Sequence, residues 1–217
     1  GKMVLASKGG IVIGIPYDQS RSYIASAIDA SLKRLGVDHI DLWQVHRPDV
    51  LTHPAELAKA LEAAKAAGKI GSIGVSNFTI AQTQALMRYL DSPLTSIQPE
   101  LSALTLDPIV DGTLDIAMAD NLAVLAWSPL GGGRIVNPGT DRERAVAAAL
   151  QAEADKQGVS LTAVAVSWIM AHPSRAIPII GSQNPDRIRT AGEALKVRWT
   201  RSSWYAVYVA ARGEPLP

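Results

Sequence analysis

The chain has 217 residues, of which 47% are hydrophobic and 19% charged, a composition typical of a globular domain with enough apolar material for one core. Its 21 basic and 20 acidic side chains give a net charge of +1, which argues against nucleic acid or an anionic membrane as partner. The lack of cysteine excludes disulfides, a thiolate nucleophile and sulfur-ligated zinc, and we predict no metal site. Without a membrane-length apolar run or a signal peptide pattern at residues 1–10, we expect a cytoplasmic protein.

Short apolar runs alternate along the chain with longer segments of helical period. Gly36 is placed to end the first helix, while Pro54 begins the second and Gly68 ends it. The predicted elements, in chain order, are a strand at 3–6, a helix at 22–35, a strand at 39–46, a helix at 54–68, a strand at 70–75, a helix at 79–90, a strand at 96–101, a helix at 112–121, a strand at 123–127, helices at 142–157 and 160–172, a strand at 176–180, and helices at 184–195 and 200–212.

This alternation is compatible with an open doubly wound sheet or with most of a (β/α)8 barrel. In a barrel the functional side chains lie at the C-terminal ends of many strands, whereas a doubly wound sheet concentrates them at one switch point. Nearly every predicted strand here ends in polar residues, and no GxGxxG motif follows the first. We therefore predict an α/β protein, a (β/α)8 TIM barrel of which about six βα units are present, as one domain over residues 1–217.

Six short motifs occur in a fixed order at the ends of the predicted strands. They are ASK, DLWQVHRPD, GVSNF, IQPE, AWSPLGGGR and PIIGSQNPDRI. Each is weak alone, but the ordered set is specific and spans nearly the whole chain. The set resembles aldo-keto reductases, most closely the bacterial members. The resemblance implies a TIM barrel that transfers hydride between NADP(H) and a carbonyl group, reducing aldehydes or ketones to alcohols.

Two residues match the catalytic group of that family. Lys8 matches the lysine whose ammonium lies beside a tyrosine hydroxyl and lowers its pKa, and His46 matches the histidine that orients the substrate carbonyl. Taken alone, such a lysine is usually a solvated surface charge, and such a histidine usually forms hydrogen bonds within its own loop. Within the ordered set, the catalytic interpretation is favoured for both.

The resemblance also implies residues that bind the nicotinamide end of the cofactor. Ser76, Asn77 and Gln98 resemble the clamp for its carboxamide, and their hydroxyl and amide groups suit the donors and acceptors of that group. Trp127 stands where the family places an aromatic ring that stacks on the nicotinamide. The alternative for Trp127 is an ordinary core tryptophan.

The resemblance also implies two further segments that bind the phosphate groups of the cofactor. One is glycine-rich and could approach a pyrophosphate closely, or could be a plain flexible turn. Its predicted cofactor-binding residues are Ser128, Pro129, Leu130, Gly132, Gly133 and Arg134. The other, Gly181, Ser182 and Arg187, resembles the adenosine 2′-phosphate site and favours NADPH over NADH. Gly181 and Ala191 stand where many relatives carry lysine and asparagine, so NADH use stays open.

The family's catalytic aspartate and tyrosine have no convincing counterpart downstream of Lys8. Tyr17, Tyr23 and Tyr89 fall in predicted loops or helices, and none has an aspartate four residues before it. Six βα units also cannot close an eight-stranded barrel. We therefore expect an N-terminal segment, ahead of these 217 residues, that supplies the aspartate and the tyrosine.

Two classes of function follow from these residues. The first is an NADPH-dependent oxidoreductase acting on a small-molecule carbonyl substrate, and the alternative is a non-catalytic NADP(H)-binding sensor or auxiliary subunit on the same barrel. Neither the particular carbonyl compound nor the oligomeric state can be read from the sequence. Four aromatic residues near the C-terminus could line the substrate pocket, but packing of a terminal helix on the barrel is favoured for the last three of them. They are Trp199, Trp204, Tyr205 and Tyr208.

Overall fold

The computed structural model of the protein describes residues 3–217. The chain packs as two compact units. The first contains the chain through Gln98 together with Ala119–Leu122, and the second contains Pro99–Met118 and Ala123–Pro217. Each unit carries its own part of the predicted site. Among residues 3–217, no helix combines the length and the apolar character needed to cross a membrane.

The first unit alternates strands and helices as predicted. Its elements are β1 (Ala6–Gly9), α1 (Arg21–Leu35), β2 (Ile40–Val45), α2 (Pro54–Ala66), β3 (Ile70–Ser76), α3 (Ile80–Met87) and β4 (Leu94–Gln98). Each strand pairs in parallel with the next one along the chain, from β1 to β4. Because the strands are parallel, their carboxyl ends meet at one edge of the sheet. That edge holds the polar residues that close each strand.

The first strand lies later than the sequence predicted. We expected a strand at 3–6, but pairing with β2 begins at Ala6 opposite Leu42 and ends at Gly9 opposite Val45. Met3 and Val4 are 79% and 69% exposed, so this apolar run does not enter the core. The backbone N–H of Leu5 donates to the Asp41 carboxylate instead of to a strand partner (2.9 Å). Lys8 is consequently inside the strand, one residue before its end.

The helix termini of the first unit follow the sequence signals. Ser20 caps α1 by accepting the N–H of Tyr23, and Gly36 ends it in the left-handed conformation (φ 67°), as predicted. Ile24 and Ile28 are fully buried, whereas Leu35, at the end of the helix, is 43% exposed. A capping box formed by Thr79 with residue 82 begins α3, which ends three residues earlier than predicted.

The second unit is mainly helical. Its elements are α4 (Asp107–Val110), α5 (Thr113–Ala119, whose last residue belongs to the first unit), β5 (Ala123–Ala126), a 3₁₀ turn (Gly131–Gly133), α6 (Asp141–Gln157), α7 (Leu161–Met170), β6 (Ile177–Pro178), α8 (Pro185–Ala191), a second 3₁₀ segment (Gly192–Lys196) and α9 (Arg201–Arg212). β5 and β6 are parallel, with Leu125 opposite Ile177. The predicted helix at 184–195 is thus two pieces, since the backbone tightens at Gly192.

Aromatic side chains join α7 to α9 in the second unit. Trp168 is fully buried and stacks on Trp204, with ring centroids 4.6 Å apart and planes 8° from parallel. Each indole N–H donates to the other residue's backbone carbonyl (3.1 and 3.0 Å). Trp204 also stacks on Tyr208 at 5.7 Å. Trp204 and Tyr208 therefore help to pack the terminal helix, as predicted, and all four aromatic residues also line a cavity of about 760 Å³.

Candidate active site

A series of hydrogen-bonded polar side chains crosses the interior of the first unit and reaches Lys8. The Lys8 ammonium donates a hydrogen bond to Oε1 of Gln98, and Nε2 of Gln98 donates to Oε1 of Gln44 at 3.0 Å. Nε2 of Gln44 faces Oγ of Ser96 at 3.4 Å. Gln44, Ser96 and Gln98 are buried, while Lys8 is half-buried. Only the lysine end of this hydrogen-bonded series is therefore accessible to solvent.

His46 follows β2 at the same edge. Its backbone N–H donates to the carbonyl of Gly9 (2.8 Å), which fixes the residue next to the end of β1. Burial lowers the pKa of the imidazole, and the positive charges of Lys8 and Arg47 lower it further. Burial also lowers the pKa of the Lys8 ammonium. Both effects favour the neutral imidazole, in which one ring nitrogen can donate a hydrogen bond to an uncharged oxygen.

Ser76 and Asn77 lie where β3 ends and are tied to Gln98. The Ser76 hydroxyl and the Asn77 backbone N–H both donate to the Gln98 carbonyl, at 2.9 and 3.1 Å. The Asn77 side-chain NH₂ donates to the His46 carbonyl at 3.1 Å and to the Ser76 hydroxyl at 3.0 Å. Asn77 has φ 59°, which asparagine tolerates better than most residues. The structure thus brings together the five site residues predicted in this unit, with Lys8 linked directly to Gln98.

The second unit contains a cleft of about 770 Å³. Nearly every residue predicted there to bind the cofactor lines it. These residues are Trp127, Ser128, Pro129, Leu130, Gly132, Gly133, Gly181, Ser182 and Arg187. A volume of this size suits a large organic ligand. A Cβ atom built on Gly132, Gly133 or Gly181 would meet nothing within 4 Å, so these glycines keep the cleft open.

The glycine-rich turn after β5 is held by its own backbone. The N–H of Gly131 donates to Ser128 O (2.8 Å), and the N–H of Gly133 donates to Leu130 O (3.0 Å). Ser128 has φ 51°, an unfavourable value for serine that is often found at functional sites. The N–H groups of Gly131 and Gly133 are therefore engaged inside the turn and are not directed at a ligand.

Arg134 differs from the other predicted residues of this turn because it does not line the cleft. Its Nε donates to the Gly131 carbonyl at 2.8 Å, and its terminal nitrogen forms an ion pair with Glu143 at 3.2 Å. The Gly139 N–H, followed by the Thr140 N–H and by Arg134, lowers the pKa of Glu143 against the opposing effect of desolvation. In this arrangement Arg134 closes the turn.

The segment predicted to bind a 2′-phosphate begins at Gly181. The Asn184 side chain caps α8 by accepting the N–H groups of Asp186 and Arg187, at 2.9 and 3.3 Å. Asp186 pairs with Arg189 at 2.5 Å. The groups suited to an anion here are consequently the Ser182 hydroxyl and the exposed Arg187 guanidinium, and not the end of this short helix.

Several residues of the site were not predicted. Gln44 lies two positions before His46 and so on the same side of β2, and a single glutamine within an apolar strand was the available signal. The other unpredicted residues line the cleft of the second unit and are brought together only by folding, half of them on α7 and α8. The unpredicted cleft residues are Val136, Asn137, Thr162, Val166, Ile179, Ile180, Asp186 and Thr190.

Comparison with solved structures defines the class of fold. The structure of the glycerol dehydrogenase from Gluconobacter oxydans matches with a TM-score of 0.85 at 26% identity, over 98% of this chain and 73% of that one. The chain therefore contains most of a (β/α)8 barrel, as its sequence predicts. The sequence pattern of the aldo/keto reductase family matches residues 1–208, and the chain belongs to that family.

Two curated relatives carry names of reductases. The 6-dehydroglucose reductase of Novosphingobium aromaticivorans is 56% identical over 216 residues, which are 100% of this chain and 71% of the relative. The 6-dehydroglucose reductase of Agrobacterium fabrum is 38% identical over 200 residues, or 92% of this chain and 66% of the relative. The chain thus spans about two thirds to seven tenths of these proteins, and its relatives are oxidoreductases.

Proposed function

We propose that this protein reduces an aldehyde or ketone to an alcohol by hydride transfer from NADPH. The observation that carries the proposal is the cluster at the strand ends of the first unit, where the Lys8 ammonium bonds to Gln98. Next to these strand ends, His46 is held with a lowered pKa. A cation and a neutral imidazole at the mouth of a barrel are the groups that carbonyl reduction needs around the reacting oxygen.

The two units offer groups that fit the parts of the cofactor. In the first unit, Ser76, Asn77 and Gln98 would hold the carboxamide. In the second unit, Trp127 would stack on the nicotinamide, and Ser182 and Arg187 would bind phosphate groups. The glycine turn would contribute space for the pyrophosphate, because Gly132 and Gly133 carry no side chain. When bound, the cofactor supplies the hydride.

The chain's own residues then act on the substrate oxygen. The N–H of a neutral His46 imidazole would donate to the carbonyl oxygen and orient it. The Lys8 ammonium would lower the pKa of an acidic hydroxyl beside it by favouring its deprotonated form, which eases release of a proton to that oxygen. We propose a small-molecule carbonyl substrate and a cytoplasmic site of action, without nucleic acid or a membrane as partner.

The cofactor preference depends on Arg187 in this proposal. Arg187→Ala is expected to weaken NADPH binding by roughly tenfold while leaving NADH binding nearly unchanged, since only NADPH offers a 2′-phosphate to the guanidinium. Titration calorimetry with both cofactors measures the difference. Arg144→Ala is the matched control because Arg144 forms an exposed ion pair with Asp141, and neither residue lines the cleft. Equal losses for NADPH and NADH in Arg187→Ala would contradict the assignment.

The relatives named above suggest the substrate class. We propose a sugar oxidised to an aldehyde at C6, as in the name 6-dehydroglucose, and the test is NADPH oxidation by the full-length protein with this compound. Consumption of NADPH with formation of the C6 alcohol supports the proposal. Binding of NADPH without turnover on a panel of aldehydes and ketones would contradict it, and would favour the alternative of a cofactor-binding sensor.

A further inference from the structure

One row of residues crosses the four strands of the first unit. Lys8 on β1 lies opposite Gln44 on β2, Gln44 lies opposite Gly74 on β3, and Gly74 lies opposite Ser96 on β4. Because Gly74 has no side chain, Gln44 can extend over β3 towards Ser96. A Cβ atom at position 74 would overlap the Ser96 hydroxyl and lie 3.0 Å from Cγ of Gln44. The row is therefore built around the Gln44 side chain.

Gln98, at the end of β4, joins two members of this row by hydrogen bonds, and the Lys8 ammonium determines which group donates in each of them. A lysine ammonium only donates, so Gln98 must present its carbonyl oxygen Oε1 to Lys8. Its NH₂ group then points into the protein and needs an acceptor, which is Oε1 of Gln44 at 3.0 Å. Gln44 is 1% exposed and Gln98 is 4% exposed, so water does not readily replace either partner.

We propose that Gln44 is a positioning residue that stabilises the amide orientation of Gln98 that the Lys8 ammonium requires. It holds the Gln98 carbonyl oxygen, and not the NH₂ group, towards the strand ends. That oxygen has two lone pairs, so it can accept from Lys8 and from one further N–H. A nicotinamide carboxamide offers such an N–H, and here the inference rests on the proposed function. A reversed Gln98 amide would place its NH₂ against the ammonium and the carboxamide NH₂, and both contacts are repulsive.

The test compares two cofactors that differ in one donor. NADPH carries a carboxamide, whereas its reduced 3-acetylpyridine analogue has a methyl ketone there and no N–H. Gln44→Met in the full-length protein keeps the length of the side chain but removes the acceptor for Gln98. We expect Gln44→Met to weaken NADPH binding roughly five- to tenfold, the value of one hydrogen bond, and to leave the analogue's Kd within about twofold. Tryptophan fluorescence or calorimetry gives both dissociation constants.

Two further variants separate positioning from a general loss of stability. Gln44→Glu keeps an acceptor at the same place and is expected to restore most of the NADPH affinity lost in Gln44→Met. Thr83→Val removes a different buried hydrogen bond of this unit, from Thr83 Oγ1 to Thr79 O (2.9 Å), and is expected to leave the ratio of the two Kd values unchanged.

Each outcome decides the inference. Equal loss of NADPH and analogue binding in Gln44→Met would overturn the role of Gln44. Failure of Gln44→Glu to recover NADPH affinity would overturn it too. Neither result would contradict the proposed function. If the unsubstituted protein did not bind NADPH, both the proposed function and the inference would be overturned.

Discussion

Lys8→Met is expected to lower kcat for carbonyl reduction by roughly 100-fold or more, the usual contribution of acid–base catalysis. Methionine keeps the length of the side chain but removes the ammonium that bonds to Gln98. The tyrosine hydroxyl that the family resemblance implies beside Lys8 would then have its ordinary pKa. It would release its proton to the substrate oxygen less readily. NADPH binding is expected to change little, because most of the predicted cofactor contacts lie in the cleft of the second unit. Steady-state kinetics and an NADPH titration measure the two effects separately.

A second lysine provides the control for this substitution. Lys69 forms an exposed ion pair with Asp29 (2.5 Å), and Lys69→Met is expected to leave kcat unchanged. If Lys8→Met retained the kcat of the unsubstituted protein, the catalytic role of Lys8 would be wrong. A loss confined to KM would instead assign Lys8 to substrate binding.

Trp168→Ala is expected to lower the free energy of unfolding by about 3–5 kcal/mol, the usual cost of removing a large aromatic side chain from a core. The substitution removes a fully buried ring that stacks on Trp204, together with the indole hydrogen bond to the Trp204 carbonyl. It also leaves a cavity between α7 and α9. Urea denaturation followed by circular dichroism gives the free energy.

Tyr205 supplies the control for this loss. It lies on α9 in edge contact with Trp204 but is 41% exposed, so Tyr205→Ala is expected to cost much less than Trp168→Ala. If Trp168→Ala were as stable as Tyr205→Ala, the tryptophan stack would not be what joins the two helices.

The sequence was sufficient for elements whose local signals agree with their burial. The strand at Ile70–Ser76 is a mostly buried run that lies between residues that end one helix and begin the next. Helix α1 carries both a capping serine and a capping glycine. It was insufficient where an apolar run stays exposed, as at Met3 and Val4. The strand begins at Ala6 because the pairing partner on β2 sets the register, and that partner is distant in sequence.

The site was predictable where its residues stand in motifs at strand ends, as for Lys8 and His46. The structure adds what a motif cannot carry, which is the set of contacts between motifs. Arg134 belongs to a motif but binds Gly131 and Glu143, and no local pattern indicates that arrangement. Gln44 was missed because its importance comes from Gly74 and Ser96 on other strands.

Transfer of isotope tests the central claim most directly. NADPH carrying deuterium at both C4 positions of the nicotinamide is incubated with the full-length protein and a C6 sugar aldehyde, and the alcohol is analysed by mass spectrometry. We expect one deuterium on the former carbonyl carbon of every product molecule, and loss of this product in Lys8→Met. An alcohol without deuterium, or no alcohol while NADPH binds, would contradict it.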